Sequence, residues 1–253
     1  MVGQIRKVWI VGANGGLGLA LTRLMLNQGH QVTAMSRRPC NNLQQLQRDF
    51  PGRLAIVVGD INQHGSESFL ALADIFEQYG LPSWTINAAG LLHEQSPHHR
   101  NMPEKRLSQV TRSFLADNIQ ANTYTSIAIA QFLDTLYRRD DPFRFLCLSA
   151  MVGSISDNRS GGWYSYRMSK AALNMFVKTL SIEWQRRFPH ACIAAIHPGT
   201  TDTPLSIPFQ NNISSDKLYT PQLSADRIYR VLSGLDHEDS GKFFHWDGSE
   251  IAW

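Results

Sequence analysis

Apolar runs of strand length recur along this chain, each separated from the next by a longer amphipathic stretch. A parallel sheet with helical crossovers produces this alternation, because its strands are buried on both faces while each crossover helix buries one stripe. The runs predict strands over 7–11, 31–35, 54–58, 84–87, 144–148, 191–197 and 242–246. Helices are expected over 17–27, 42–48, 66–79, 107–138, 165–188 and 225–235, the fourth opening with a short separate turn. No repeat, low-complexity tract or linker divides the pattern. The expected fold is therefore α/β: one Rossmann-type domain over 1–253, a doubly wound parallel sheet of about seven strands with helices on both faces. The least regular stretch, 203–221, contains Pro204, Pro208, Pro221 and Asn211-Asn212. It reads as a surface connection or as a lid over a substrate site, since long structureless segments in a compact domain are usually functional or disordered.

The junction of the first strand and first helix is Gly12-Ala13-Asn14-Gly15-Gly16-Leu17-Gly18. A tight turn and close backbone approach to a diphosphate need residues without a Cβ, and the N–H groups and positive end of the following helix can hold the phosphates. Glycine spacing alone recurs in many unrelated chains; its place between strand and helix is what points to a nucleotide. At the end of the second strand, where an acidic residue would bind the ribose hydroxyls of NAD, stand Ser36, Arg37 and Arg38. A hydroxyl and guanidinium suit a 2′-phosphate, so NADP(H) is the expected cofactor, with two ordinary surface arginines as the alternative.

Tyr166 and Lys170 lie four residues apart, on one face of a helix. A phenol near its ordinary pKa of about 10 is a poor acid or base at neutral pH, and a neighbouring ammonium is one of the few devices that lower it. Tyr164 has no lysine four residues later and is expected to border the substrate pocket, while Lys178 reads as a solvated charge.

Composition narrows the function classes. The 253 residues carry a net charge of only +3, with basic pairs scattered at 37–38, 138–139 and 186–187, which argues against nucleic acid. Cys40, Cys147 and Cys192 are odd in number and widely spaced, against a disulfide framework or a zinc site. No run is long enough to span a membrane and residues 1–7 lack a cleavable apolar signal, so a cytoplasmic protein is expected. His93, His98 and His99 with Glu94 form a polar loop that reads as solvated or as a substrate contact rather than a metal site.

In order along the chain, residues 12–18, Asp60, Asn87-Ala88-Ala89-Gly90, Asn118, Tyr166 with Lys170, and Pro198-Gly199 resemble the short-chain dehydrogenase/reductase family over nearly the whole length. Residues 161–170, His197-Pro198-Gly199 and the terminal Trp253 are similar to its C-factor-like and sniffer-type carbonyl reductase branch. The resemblance implies that Asp60 and Ile61 flank the adenine, that Asn87, Ala88 and Gly90 line the cofactor cleft, and that Pro198, Gly199 and Thr201 pack near the nicotinamide. It further implies that Asn87 ties neighbouring strands together. Turn formation explains any one of these residues, but not the ordered set. The implied reaction is reversible hydride transfer between nicotinamide and a carbonyl or alcohol carbon, with Tyr166 moving the oxygen-bound proton. Lys170 would lower the phenol pKa and bind the ribose, and Asn118 would hold a water in a relay to Lys170. The last two helices before strand 191–197 form the common dimer face of the family, which implies a homo-oligomer.

One position departs from the family. The serine that bonds the substrate oxygen falls at Ala150, counted back from Gly153. Ser149 is the nearest candidate, pointing away from the cleft if strand alternation holds, and Ser154 is second. A missing oxyanion-type donor can cost about 10²- to 10³-fold in rate. The departure keeps an alternative open: a cofactor-binding signalling or sensor protein with weak or no turnover. A flavodoxin-like FMN protein explains neither Tyr166 nor Lys170.

Overall fold

Along β1 (Lys7–Val11) the side chains of Val8 and Ile10 face one core and those of Trp9 and Val11 another, all buried. A central strand covered on both sides must be apolar at successive positions, and this one is. The computed structural model describes residues 5–63, 67–95 and 100–253. After β1 the chain runs through α1 (Gly16–Asn27), β2 (Gln31–Ser36), α2 (Asn41–Asp49), β3 (Leu54–Val58), α3 (Glu67–Tyr79) and β4 (Trp84–Asn87). A two-stranded ribbon follows, β5 (Glu94–Gln95) with β6 (Arg100–Asn101), then α4 (Arg112–Ile119), α5 (Thr125–Leu136), β7 (Arg144–Leu148), α6 (Tyr164–Arg187), β8 (Cys192–His197), α7 (Pro221–Gly234) and β9 (Phe243–His245).

The main sheet has the order β3-β2-β1-β4-β7-β8-β9, with every neighbouring pair parallel. Helices α1, α2 and α7 supply Leu21, Met25, Leu43, Leu46, Ile228 and Leu232 to the core on one face. Leu72, Phe76, Ile129, Leu133, Val177 and Trp184 of α3, α5 and α6 fill the other. Strand order reverses between β1 and β4, and the crevice at their carboxyl ends is where ligands of such sheets bind.

The expected strands are all present, and the differences have local causes. Helix α7 begins at Pro221, earlier than the apolar period suggests, because Thr220 caps it by accepting from the Leu223 N–H and proline suits the first helical position. The helix expected over 107–138 divides into a 3₁₀ turn Leu107–Gln109, then α4, a π-helical segment Gln120–Tyr124, and α5. The β5–β6 ribbon is too short to show any alternation. Ser66, the expected start of α3, lies outside the described residues, as do His98 and His99.

The segment 203–221 is not structureless. It holds 3₁₀ turns at Ile207–Asn212 and Ser215–Lys217. Its two ends meet in a parallel bridge between Thr201 and Tyr219, with Tyr219 N–H donating to Thr200 O and Asp202 N–H to Tyr219 O at 2.8 Å each. Tyr219 also packs under the Arg227 guanidinium, 4.0 Å away, which is in turn 3.6 Å from Trp246. The segment is thus a pinned loop, ending at Thr220, placed above the carboxyl edge of the sheet.

Candidate active site

At the β1–α1 turn Gly12, Gly16 and Gly18 each meet a different neighbour. Gly12 adopts φ +80°, and a Cβ there would fall 2.6 Å from the Ala89 nitrogen, so it lets the exits of β1 and β4 touch. A Cβ on Gly18 would lie 2.2 Å from Gly12 O, and one on Gly16 2.7 Å from the Thr203 methyl of the pinned loop. Gly15 precedes α1 without a side-chain cap, so the first-turn N–H groups of Gly16, Leu17 and Gly18 open forward unpaired among the described residues. They face a cavity of about 590 Å³. Asn14, Gly15, Gly16, Leu17 and Gly18 line it, whereas Gly12 stands behind it.

Across the cavity stand Tyr166 and Lys170, on the first two turns of α6. The Tyr166 ring is buried and its hydroxyl makes no hydrogen bond among the described residues. Lys170 Nζ donates to Leu148 O at 2.8 Å and lies 5.8 Å from the Tyr166 ring centre. Burial raises the phenol above its ordinary value and lowers the ammonium to about 8. The lowering of Tyr166 expected from Lys170 is therefore not found here: lost hydration disfavours both charged forms.

The remaining expected residues divide by what their side chains touch. Ala88, Gly90, Pro198, Gly199 and Thr201 line the cavity. Thr201 Oγ1 also bonds Ser224 of α7 at 2.7 Å. Asn87 donates to Ser126 Oγ at 2.7 Å and accepts from Ala89 N–H at 3.0 Å, so it ties β4 to α5 rather than to another strand. Asp60 accepts from the Asn62 N–H, closing a turn, and Ile61 is buried in the core. Ser36 donates to Arg38 O at 2.8 Å, a bond that shapes the turn. Arg37 and Arg38 are exposed, and neither guanidinium has a partner among the described residues.

The serines near Ala150 do not present free hydroxyls. Ser149 lines the cavity, yet its Oγ donates to Asn174 Oδ1 of α6 at 2.7 Å. Ser154 Oγ donates to Ala252 O at 2.6 Å and anchors the end of the chain. His93 reaches across to the pinned loop, its Nε2–H donating to Pro204 O at 3.1 Å.

A family model for short chain dehydrogenases matches residues 6–213. The chain belongs to the short chain dehydrogenase family. C-signal of Myxococcus xanthus is 36% identical to this short chain dehydrogenase over 107 residues, 42% of this chain and 58% of C-signal, so the chain spans little more than half of that relative. Carbonyl reductase Sniffer of D. melanogaster superposes with a TM-score of 0.82 at 25% identity, over 99% of this chain and 100% of that one. An NADPH-bound carbonyl reductase from chicken fatty liver gives a TM-score of 0.84 at 25% identity with the same coverage. The seven-strand parallel sheet is the fold of these reductases.

Two residues of this short chain dehydrogenase escape sequence reasoning. The Asn118 side chain donates to Phe114 O at 2.9 Å, one turn back in its own helix. It is Asn122, in the π-helical segment, that reaches the chain leaving β4: it accepts from Leu91 N–H at 2.7 Å and donates to Leu91 O at 2.8 Å and Ser169 Oγ at 2.9 Å. A Cβ on Gly90 would fall 3.2 Å from Asn122 Oδ1 and 3.8 Å from Lys170 Nζ, so the asparagine and lysine flank one glycine. Both asparagines share a helical face, and only the π turn, a common device at functional sites, separates their surroundings.

The second is Trp163, which lines the cavity where Tyr164 does not. It holds φ +52° and ψ +42°, a left-handed conformation costing about 1–2 kcal/mol for a residue with a Cβ. The preceding Gly161-Gly162 was the available signal, since both also have positive φ.

His197 gives this site a pH dependence. Its ring is 5.4 Å from that of His245 and its Nδ1 is enclosed without a partner among the described residues. Burial, then the His245 charge, hold it down at about 4. The folded value is below the unfolded one of about 6.5, so the unfolded chain takes up more protons between about pH 6.5 and 4. Folding stability should fall through that window by roughly 3 kcal/mol, and His197→Gln should flatten the slope. Urea unfolding at pH 7 and pH 4 measures it; parallel slopes in the two proteins would exclude His197 as the source.

Proposed function

We propose that this protein is an NADP(H)-dependent carbonyl reductase, transferring a hydride between nicotinamide and a carbonyl or alcohol carbon. The observation that carries the reading is that the uncapped glycine turn and the Tyr166–Lys170 pair open into one cavity. The turn fits a dinucleotide: N–H donors at a positive helix end, without side chains in front of them, suit a diphosphate. Asn14, Gly15, Gly16, Leu17 and Gly18 would hold it, with Arg37 and Arg38 on the 2′-phosphate. Ala88, Gly90, Pro198, Gly199 and Thr201 would border the nicotinamide half, and the Asp60–Ile61 turn the adenine, with Ile61 contributing backbone only. Gly12, Ser36 and Asn87 shape the turns behind the cofactor.

The cofactor supplies the hydride. Tyr166 donates the proton to the carbonyl oxygen, and burial suits this direction because a phenol kept above its ordinary pKa is fully protonated at neutral pH. Lys170 then faces the new phenolate and lowers the cost of that charge. Asn122, which positions the backbone beside Lys170, takes the relay role rather than Asn118. With a methyl group at Ala150, Ser149 can bond the substrate oxygen only by releasing Asn174.

The sensor alternative is not favoured by the likeness to carbonyl reductases. Among the described residues no helix is long and apolar enough to cross a membrane. A small carbonyl or alcohol substrate in the reducing cytoplasm fits the reading. The cofactor choice is tested by Arg37→Asp, which should weaken NADPH binding by roughly 10-fold or more, the value of one charge-assisted phosphate contact, and change NADH binding little. Titration of both nucleotides against wild type and variant measures this, and equal losses for the two would remove the 2′-phosphate site.

A further inference from the structure

Trp163 is the one residue other than glycine with positive φ among the described residues, and the structure devotes several groups to holding it there. Its N–H donates to Glu104 O at 2.5 Å. The Glu104 carboxylate, 2% exposed, accepts from Ser165, two residues on, through both its N–H at 3.1 Å and its hydroxyl. Arg167 gathers the preceding loop, its Nε donating to Gly162 O at 3.0 Å and its Nη2 to Ser160 Oγ at 2.9 Å. A backbone held this firmly in a costly conformation marks a place where the side chain is needed.

The ring so presented stands beside the proton donor. Trp163 lies edge-on to Tyr166, ring centres 6.2 Å apart, and against Phe209 of the pinned loop at 4.9 Å. Leu92, Met151, Val152 and Ile213 continue the wall. Among the described lining residues Lys170 is the one ammonium or guanidinium, and its Nζ is already bonded to Leu148 O. A substrate carboxylate or phosphate would enter this wall without a counter-charge, at a high desolvation cost.

Resting on the reductase reading above, we infer that Trp163 determines specificity: with Phe209 it forms an aromatic wall that receives a planar, uncharged aryl carbonyl compound against the Tyr166 hydroxyl. Edge-to-face and offset contacts between rings favour such a substrate over an aliphatic one of equal size.

The test compares wild type with Trp163→Gly and Trp163→Phe. Glycine accepts the left-handed backbone without strain, so the first variant removes the ring while easing the fold; the second keeps a ring. NADPH-dependent kcat/KM is measured with benzaldehyde, an aliphatic aldehyde of equal carbon number, and 4-carboxybenzaldehyde, and benzaldehyde binding is measured by calorimetry. Wild type should prefer benzaldehyde over the carboxylate by more than about tenfold. Trp163→Gly should lower the benzaldehyde-to-aliphatic ratio about tenfold, mainly through KM, and Trp163→Phe should restore most of it. Turnover with an unchanged ratio in Trp163→Gly, or a wild type indifferent to the carboxylate, overturns the wall and leaves the reductase reading intact. Benzaldehyde binding that depends on Trp163 without turnover of any aldehyde overturns the reductase reading and supports the wall.

Discussion

Tyr166→Phe should lower kcat for carbonyl reduction by about 10²- to 10⁴-fold, the range supplied by one positioned acid, while NADPH binding stays within a few-fold of wild type. The substitution removes one oxygen that has no hydrogen-bond partner among the described residues, and the ring that packs beside Trp163 remains. Loss of turnover without loss of fold is therefore the expected pattern, read by steady-state NADPH oxidation alongside circular dichroism. Turnover retained within tenfold would place the proton donor elsewhere. Ser149 and His197 are two other polar side chains on the cavity wall, and neither is as well disposed: one hydroxyl is bonded to Asn174, and the imidazole is held neutral by burial.

Gly12→Ala should destabilise the fold by about 3 kcal/mol or more and abolish measurable cofactor binding, through backbone strain and a clash that has no flexible partner. The left-handed φ accounts for about 1 kcal/mol of this. The remainder comes from a methyl group placed 2.6 Å from Ala89 N and 2.9 Å from Ala88 C, which are main-chain atoms of the strand exit beside it. Relief requires the ends of β1 and β4 to separate, and those ends frame the cavity. Gly29→Ala is the control, because Gly29 has φ +84° with no atom of the described residues within 4 Å of its Cβ position. Guanidinium unfolding of the two variants isolates the clash; equal midpoint shifts would show that Gly12 matters only for its dihedral angle.

The contrast between these glycines and the rest of the site shows what a linear reading captures. Residues 12–18 announced a tight strand-to-helix turn because a glycine requirement is a backbone requirement, local to a few consecutive residues. Tyr166 and Lys170 were legible for the same reason, their spacing being fixed by one helix. Which glycine faces the cavity was not, because Gly12 is needed by Ala89, far along the chain. Asn118 and Asn122 are equivalent on an ideal helix, and the π-helical segment between α4 and α5 decides which reaches Leu91. Trp163 was overlooked in favour of Tyr164 because three successive left-handed residues turn the chain just before α6, a feature that side-chain periodicity does not report.

The amino-acid order by itself determined the alternation of strands and helices, the doubly wound sheet and the position of the glycine turn, since each follows from hydrophobic period or backbone permission within a short window. Tertiary structure alone decided the electrostatics and the aromatic wall of the cavity. Burial raises Tyr166 although a lysine stands one turn away, Ser149 is bonded to Asn174, and Trp163 meets Phe209 from a segment over forty residues later. Hydration, hydrogen-bond competition and ring contact depend on which distant groups share a volume, and only the folded chain brings them into one.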